Sequence, residues 1–235
     1  MDLREILIFY NLTITMIAFG IATFKDIKKR EVEDRLWIIL AILTLPSSFY
    51  MLGLMKLIIN FLPCFLFGIL LYYVFKFGGA DAKAIWTLSI AIPYSPFETI
   101  LPVMPVFPIS IVFNSVIISA FYIFVNVFHN VNKYIKEKKL FNKKTPISRK
   151  VMLFIFSQKL SEEEYYKSKF YVPALKNGKL NLGSDIREFD FEKKEYVCEW
   201  YEKAQPFLVY IAISIPFTIV FGDLSLGFVS FLLKQ

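Results

Sequence analysis

The stretch Phe77-Gly78-Gly79-Ala80-Asp81-Ala82-Lys83 sets a glycine pair and a carboxylate between two apolar runs. Upstream, Asp26 lies in Phe24-Lys25-Asp26-Ile27-Lys28-Lys29-Arg30-Glu31-Val32-Glu33-Asp34, directly after another apolar run. Most of what the sequence says about function depends on whether these two aspartates meet.

The runs around them are long. The chain has 235 residues, 56% of them hydrophobic, with 26 Phe and one His, whereas a soluble domain is usually about 45–50% apolar. The surplus falls in runs of about 20 residues, the length that crosses a hydrocarbon core. Spans are expected at residues 6–24, 36–52, 57–75 and 106–128, and from residue 207 to 233 with an interruption at Gly222-Asp223. Residues 84–96 are short for a span unless the helix starts earlier, through Ala80 and Asp81, or is tilted. The spans at 36–52 and 57–75 are separated only by residues 53–56 and are expected to form a helical hairpin, with Trp37 an interfacial anchor. Pro93, Pro96, Pro102, Pro105 and Pro108 predict a loop or broken helix. Asp2, Arg4 and Glu5 precede the first run and no small-residue cleavage site follows it, so it reads as a retained helix.

Residues 130–205 differ in kind, with 17 Lys or Arg and 11 Asp or Glu. They read as a soluble insert. Ser161-Glu162-Glu163-Glu164 fits a capping box, and Asn177-Gly178 between two strand-like segments is a hairpin signal. Residues 151–156 are either a buried strand or a membrane-surface contact. The fold expected is an α-helical polytopic membrane protein of about six transmembrane helices, with a small α+β insert between the fifth and sixth. Its domains would be residues 1–129, 130–205 and 206–235. Basic residues concentrate in loop 25–35, at Lys76 and Lys83, and in the insert, so these segments are expected to be cytoplasmic. Six spans then put both termini outside a cell membrane and set Asp26 and Asp81 at one face. No internal repeat or low-complexity segment is seen.

The residue inventory narrows the chemistry. Cys64 lies in an apolar run and Cys198 in a charged segment, which argues against a disulfide. With one His, the chain lacks the usual zinc sets, and a Cys-His pair or Ser-His-Asp triad would need His129, which reads as an interfacial residue. Candidate chemistry falls to carboxylates, Lys, Tyr and Ser. Two aspartates brought together cannot both ionise comfortably, so one holds a proton while the other deprotonates water. Gly78 and Gly79 permit unusual backbone conformations and leave room for a peptide strand. Structural readings stand beside these. Asp81 can cap a helix, Asp34 can cap the next one, and Asp26 can be one charge of a solvated loop. Asp223 is a rival intramembrane acid, expected at the outer surface.

Gly78-Gly79-Ala80-Asp81-Ala82-Lys83 resembles the G-x-G-D-x-K motif of type IV prepilin peptidases and archaeal preflagellin (prearchaellin) peptidases. Asp26, with Val32 and Asp34 six and eight residues on, resembles that family's first-aspartate segment. The likeness covers roughly residues 10–90 and departs at Ala80, where the family has Gly. It implies a membrane-embedded aspartic endopeptidase that removes a short basic leader at the cytoplasmic face. Asp26 and Asp81 would be catalytic, and Gly78, Gly79 and Ala80 would contact substrate. No metal, nucleotide or other cofactor is implied. Bacterial members carry an amino-terminal region with CxxC pairs, and this chain starts in its first span without one, so the archaeal branch is the better match. Presenilin-type proteases share the glycine-aspartate idea and need a Pro-Ala-Leu motif in a late span. Pro173-Ala174-Leu175 lies in the insert and reads as coincidence.

Partners implied are preflagellin- or prepilin-like precursors and membrane lipid, the basic insert facing anionic headgroups. Nucleic acid is not expected, since 11 acids dilute the insert's charge and no nucleic-acid motif is present. Glu31, Glu33 and Asp34 either attract basic leader residues or form a solvated loop. Lys83 either tunes Asp81 or meets lipid phosphate. The rival function is a non-enzymatic transporter or assembly subunit, favoured by the prolines and Asp223.

Overall fold

The computed structural model describes residues 2–141, 145–176, 179–183, 189, 191, 193 and 195–233. It comprises two compact units, residues 1–119 with 206–235, and residues 120–205.

The first unit is helical. It holds α1 (Leu3–Lys29), α2 (Asp34–Tyr73), α3 (Gly79–Ala91), α4 (Phe107–Ala120), α8 (Phe207–Phe221) and α9 (Leu224–Leu233). Among the described residues, three helical stretches are long and apolar enough to cross a membrane: Leu3–Lys29, Asp34–Tyr73 and Phe107–Glu137. The α8–α9 pair, bent by 43°, makes a fourth if it counts as one span. Their outer faces carry exposed Ile17, Phe24, Ile38, Ile42, Ile58 and Leu66, more apolar surface than water tolerates. This is a membrane protein.

Although α2 is one element of 40 residues, Gly53 breaks it with φ 73° and ψ 167°. Asp34 pairs with Lys83 near the start of α3, and Met51 accepts a hydrogen bond from Tyr94 just past its end. Residues 34–52 therefore run parallel to α3. Phe65 and Gly68 pack on Trp86, and Tyr72 lies by Gly79, so residues 54–73 run antiparallel to it. The chain reverses at Gly53, as the hairpin reading expects. Helix α3 begins at Gly79, upstream of the apolar stretch, and has 13 residues.

Small residues allow α1, α2 and α3 to approach closely. Ala18, Ala22, Ala84 and Ala91 are buried with Phe19, Leu40 and Leu88. Trp37 is in this core, 3% exposed and edge-on to Phe19 at 5.4 Å; it faces α1 rather than a membrane interface. Asn11 locks the end of the bundle remote from Asp26. Its amide donates to Ser48 Oγ and the Ala91 carbonyl, both at 3.0 Å, and accepts from Ser47. Gly68 is required because a Cβ there would lie 2.3 Å from Trp86 Nε1. Gly68→Ala should cost about 1–3 kcal/mol by overpacking, read as a lower thermal midpoint in detergent.

The prolines give an irregular segment between α3 and α4, and Pro108 falls in the first turn of α4, where it is tolerated. This segment satisfies the α8–α9 break. Leu101 N–H donates to the Phe221 carbonyl at 2.8 Å, and Asp223 N–H to Pro102 at 3.1 Å. Asn114, fully buried, donates to Thr218 and Gly222 and accepts from Leu224 N–H. Asp223 is 0% exposed. Its Oδ1 accepts from Ser225 and Leu226 amides, capping α9.

In the second unit, α5 (Tyr122–Glu137) packs on α6 (Ile147–Phe156), followed by β1 (Gln158–Lys159), α7 (Glu162–Lys167), β2 (Tyr171–Pro173), β3 (Leu175–Lys176), β4 (Lys179–Leu180) and β5 (Trp200–Lys203). The order β1-β5-β2 is antiparallel, and β3 pairs with β4. The insert is thus α+β. Ser161 and Glu164 form the expected capping box of α7. The Asn177-Gly178 turn lies outside the described residues, and the strands flanking it pair. Pro173 ends β2 and Leu175 opens β3, so this Pro-Ala-Leu joins two strands and is not membrane helix.

Residues 151–156 are helical, not a strand. Asn126 and Asn130 of α5 donate to the carbonyls of Ile155, Phe154 and Ser157, which α6 cannot satisfy itself. His129 Nε2 bonds the Lys159 carbonyl at 3.1 Å. Burial opposes the charge on Glu164, but hydrogen bonds from Lys133 and Ser161 outweigh it and hold the carboxyl at about 2. Both cysteines are free thiols.

Candidate active site

Asp26 occupies the last turn of α1. The helix ends because Arg30 turns left-handed (φ 59°, ψ 21°), its amide closing on the Asp26 carbonyl at 3.0 Å. Arg30 Nη1 lies 3.7 Å from Asp26 Oδ1, and each side chain is 13% exposed. The Leu208 backbone amide, in the first turn of α8, also interacts with the Asp26 carboxylate; first-turn amides have no partner within their own helix.

Asp81 sits in the first turn of α3 and is 8% exposed. Its Oδ2 accepts from Gly78 N–H at 3.1 Å, so the capping reading holds. Capping does not hide it from Asp26. The two carboxylates are within electrostatic reach of each other, and the Arg30 guanidinium is within reach of Asp26, Asp81 and the Tyr210 hydroxyl of α8. Phe77 meets Phe207 edge-on at 4.7 Å, which fixes the motif loop against the start of α8.

The glycines act differently from the expectation. Gly78 has φ −63° and Gly79 is helical; the left-handed residue of this loop is Lys76. A Cβ on Gly78 would lie 3.1 Å from Asp81 Oδ2, whereas one on Gly79 would make ordinary contact with Tyr72 at 3.6 Å. Gly78 makes room for the carboxylate. The segment opens a helix and is not an extended edge, because Asp81 pulls the chain into a first turn. Ala80 packs against the α1–α3 core, where its methyl fits.

The acidic loop is mostly engaged. Glu33 pairs with Lys25 at 2.7 Å, and Asp34 with Lys83. Lys83 thus binds the start of α2 to α3. Asp34 is the first helical residue and makes no side-chain cap. Glu31 is exposed.

Arg30, the Leu208 amide and Tyr210 were not among the sequence candidates. An acid and a base four residues apart is a helix-pair signal that points to Arg30. Nothing local points to α8, which comes from the far end of the chain.

Residues 13–124 match the type IV leader peptidase family. The match covers just under half of the chain. The protein is a peptidase. The chain is 28% identical to the preflagellin peptidase of Methanocaldococcus jannaschii, the alignment covering 92% of this chain and 96% of the relative. It is 28% identical to that of Methanococcus voltae, over 89% and 94%. It is 27% identical to that of Methanococcus maripaludis, over 88% and 93%. The matched span contains both aspartates. The transporter reading gives way to the enzyme, and the broken helix that favoured it has a structural account in Asp223 and Asn114.

Proposed function

We propose that this peptidase is an aspartic endopeptidase that cleaves short basic leaders from preflagellin- or prepilin-like precursors at the cytoplasmic membrane face. Asp26 and Asp81 carry the reaction. The observation behind this reading is that Asp26 of α1 and Asp81 of α3, 13% and 8% exposed, lie within electrostatic reach of each other. The names of the relatives support the substrate class.

In the competent state the pair holds one proton between them. The ionised carboxylate takes a proton from water as its oxygen attacks the scissile carbonyl carbon. The protonated carboxyl donates to the carbonyl oxygen, giving a tetrahedral diol. Collapse breaks the C–N bond, the leaving nitrogen takes a proton, and one carboxyl is again protonated. Neither aspartate has a fixed identity as acid or base, because they titrate as a unit. Amides of Gly79 and Ala80, in the first turn of α3, are donors for the substrate backbone. Helix motion closes any gap left between the carboxylates.

Six crossings fit this scheme: α1, the two halves of α2, α3 with its flanking loop, α4 running into α5, and α8–α9. Residues 1–129 and 206–235 are then membrane domain and residues 130–205 a cytoplasmic insert, with both termini outside. Lys138 and Lys139 rim a groove of 460 Å³ walled by Val131, Tyr134, Leu140, Phe141 and Phe154, which suits anionic lipid.

The test is leader removal from a tagged preflagellin-type precursor by membranes carrying this protein. Mass spectrometry should place the cut just before the substrate's apolar helix. An uncut precursor across several leaders of this class would overturn the reading. Gly78→Ala is a finer probe. Its Cβ must push Asp81 Oδ2 by a few tenths of an ångström, so kcat should fall about 10- to 100-fold while the protein stays folded.

A further inference from the structure

We infer that Arg30 is a positioning residue for the carboxylate pair, holding the Asp26 side chain and supplying the counter-charge that lets Asp81 approach it. The inference rests on Asp26 and Asp81 being the catalytic pair.

Two geometric facts carry it. First, Arg30 closes the helical turn that begins at Asp26, its amide 3.0 Å from the Asp26 carbonyl, and its Nη1 lies 3.7 Å from Asp26 Oδ1. The guanidinium is thus held one helical turn from Asp26, beside its carboxylate. Second, Arg30 stands at φ 59°, a region where a Cβ is disfavoured and glycine is the ready choice. The chain keeps a long cationic side chain there and buries it, with 13% of its surface exposed.

Two neighbouring cations are used elsewhere. Lys25 binds Glu33, and Lys28 lies over the Phe24 ring at 4.1 Å. Two carboxylates converging in a site of low solvation repel each other. A pair sharing one proton still carries one negative charge, and a guanidinium within reach of both offsets it. Arg30 meets that requirement, and its reach extends to Tyr210. The planar fork also fixes direction, which a lysine ammonium does not.

The experiment compares full-length wild type with Arg30→Gln, Arg30→Lys and Arg30→Gly, with Asp26→Asn and Asp81→Asn as controls, on a tagged preflagellin-type precursor in proteoliposomes. Arg30→Gln should lower kcat about 10- to 100-fold with KM within about threefold. Arg30→Lys should recover part of the loss, because it restores charge without the fork. Arg30→Gly suits the left-handed backbone, so it should melt no lower than wild type and yet cleave as slowly as Arg30→Gln. Wild-type kcat in Arg30→Gly would make Arg30 a helix cap and overturn the inference. Wild-type kcat in Arg30→Gln, with both aspartate variants dead, would remove the inference and leave the pair standing. Active aspartate variants would remove both.

Discussion

Asp81→Asn is expected to lower leader cleavage by about 10³-fold or more, since it removes one member of an acid–base pair. The fold should survive. Asn keeps an oxygen that can accept from Gly78 N–H, the bond that starts α3, and it fills the same volume. An amide can neither take a proton from water nor hold one for the leaving nitrogen. It also removes the repulsion with Asp26, so the variant should be no less stable than wild type. Lost activity with retained or raised thermal midpoint separates catalysis from folding. A large fall in both would mean that Asp81 is only a cap.

The second large effect concerns folding. Gly222 joins α8 to α9 at φ 86°. A Cβ there would stand 2.2 Å from the Leu101 carbonyl oxygen and 2.8 Å from its carbon. The obstacle is backbone, held by Leu101 N–H to Phe221 and by Asp223 N–H to Pro102. It cannot rotate away as a side chain would. Gly222→Ala therefore pays both for its backbone angle and for separating α8 from the loop after α3. The expected cost is about 3 kcal/mol or more. For a chain of this length that lowers the thermal midpoint by about 6–12 °C, measured by scanning fluorimetry in detergent. Gly53→Ala is the contrast, since Gly53 also has positive φ but open space around it.

Much of this architecture was legible from the residues. The reversal near Gly53, the Ser161 capping box and the strands flanking residues 177–178 are local signals, and each is found where expected; the apolar runs are helical, and three stretches among the described residues are long enough to cross a membrane. The motif stretch also marked one wall of the candidate site. What escaped was set by tertiary contact. Trp37 looks like an interfacial anchor until α1 brings Phe19 against it. Residues 151–156 have no period of their own that separates strand from helix, and Asn126 and Asn130 decide the matter from another element. Gly78 suggests backbone freedom, whereas its use is the space it leaves beside Asp81. The α8 contribution to the site comes from more than 120 residues beyond Asp81, and no pattern in Leu208 or Tyr210 announces it.

The most direct measurement is the rate of leader removal by Asp26→Asn, Asp81→Asn and the double variant, beside wild type, on one preflagellin-type precursor with equal amounts of folded protein. A pair that works as a unit predicts that each single variant falls to background and that the double is no slower. Near wild-type cleavage by either single variant would contradict the account and leave Asp34 as the next carboxylate to test.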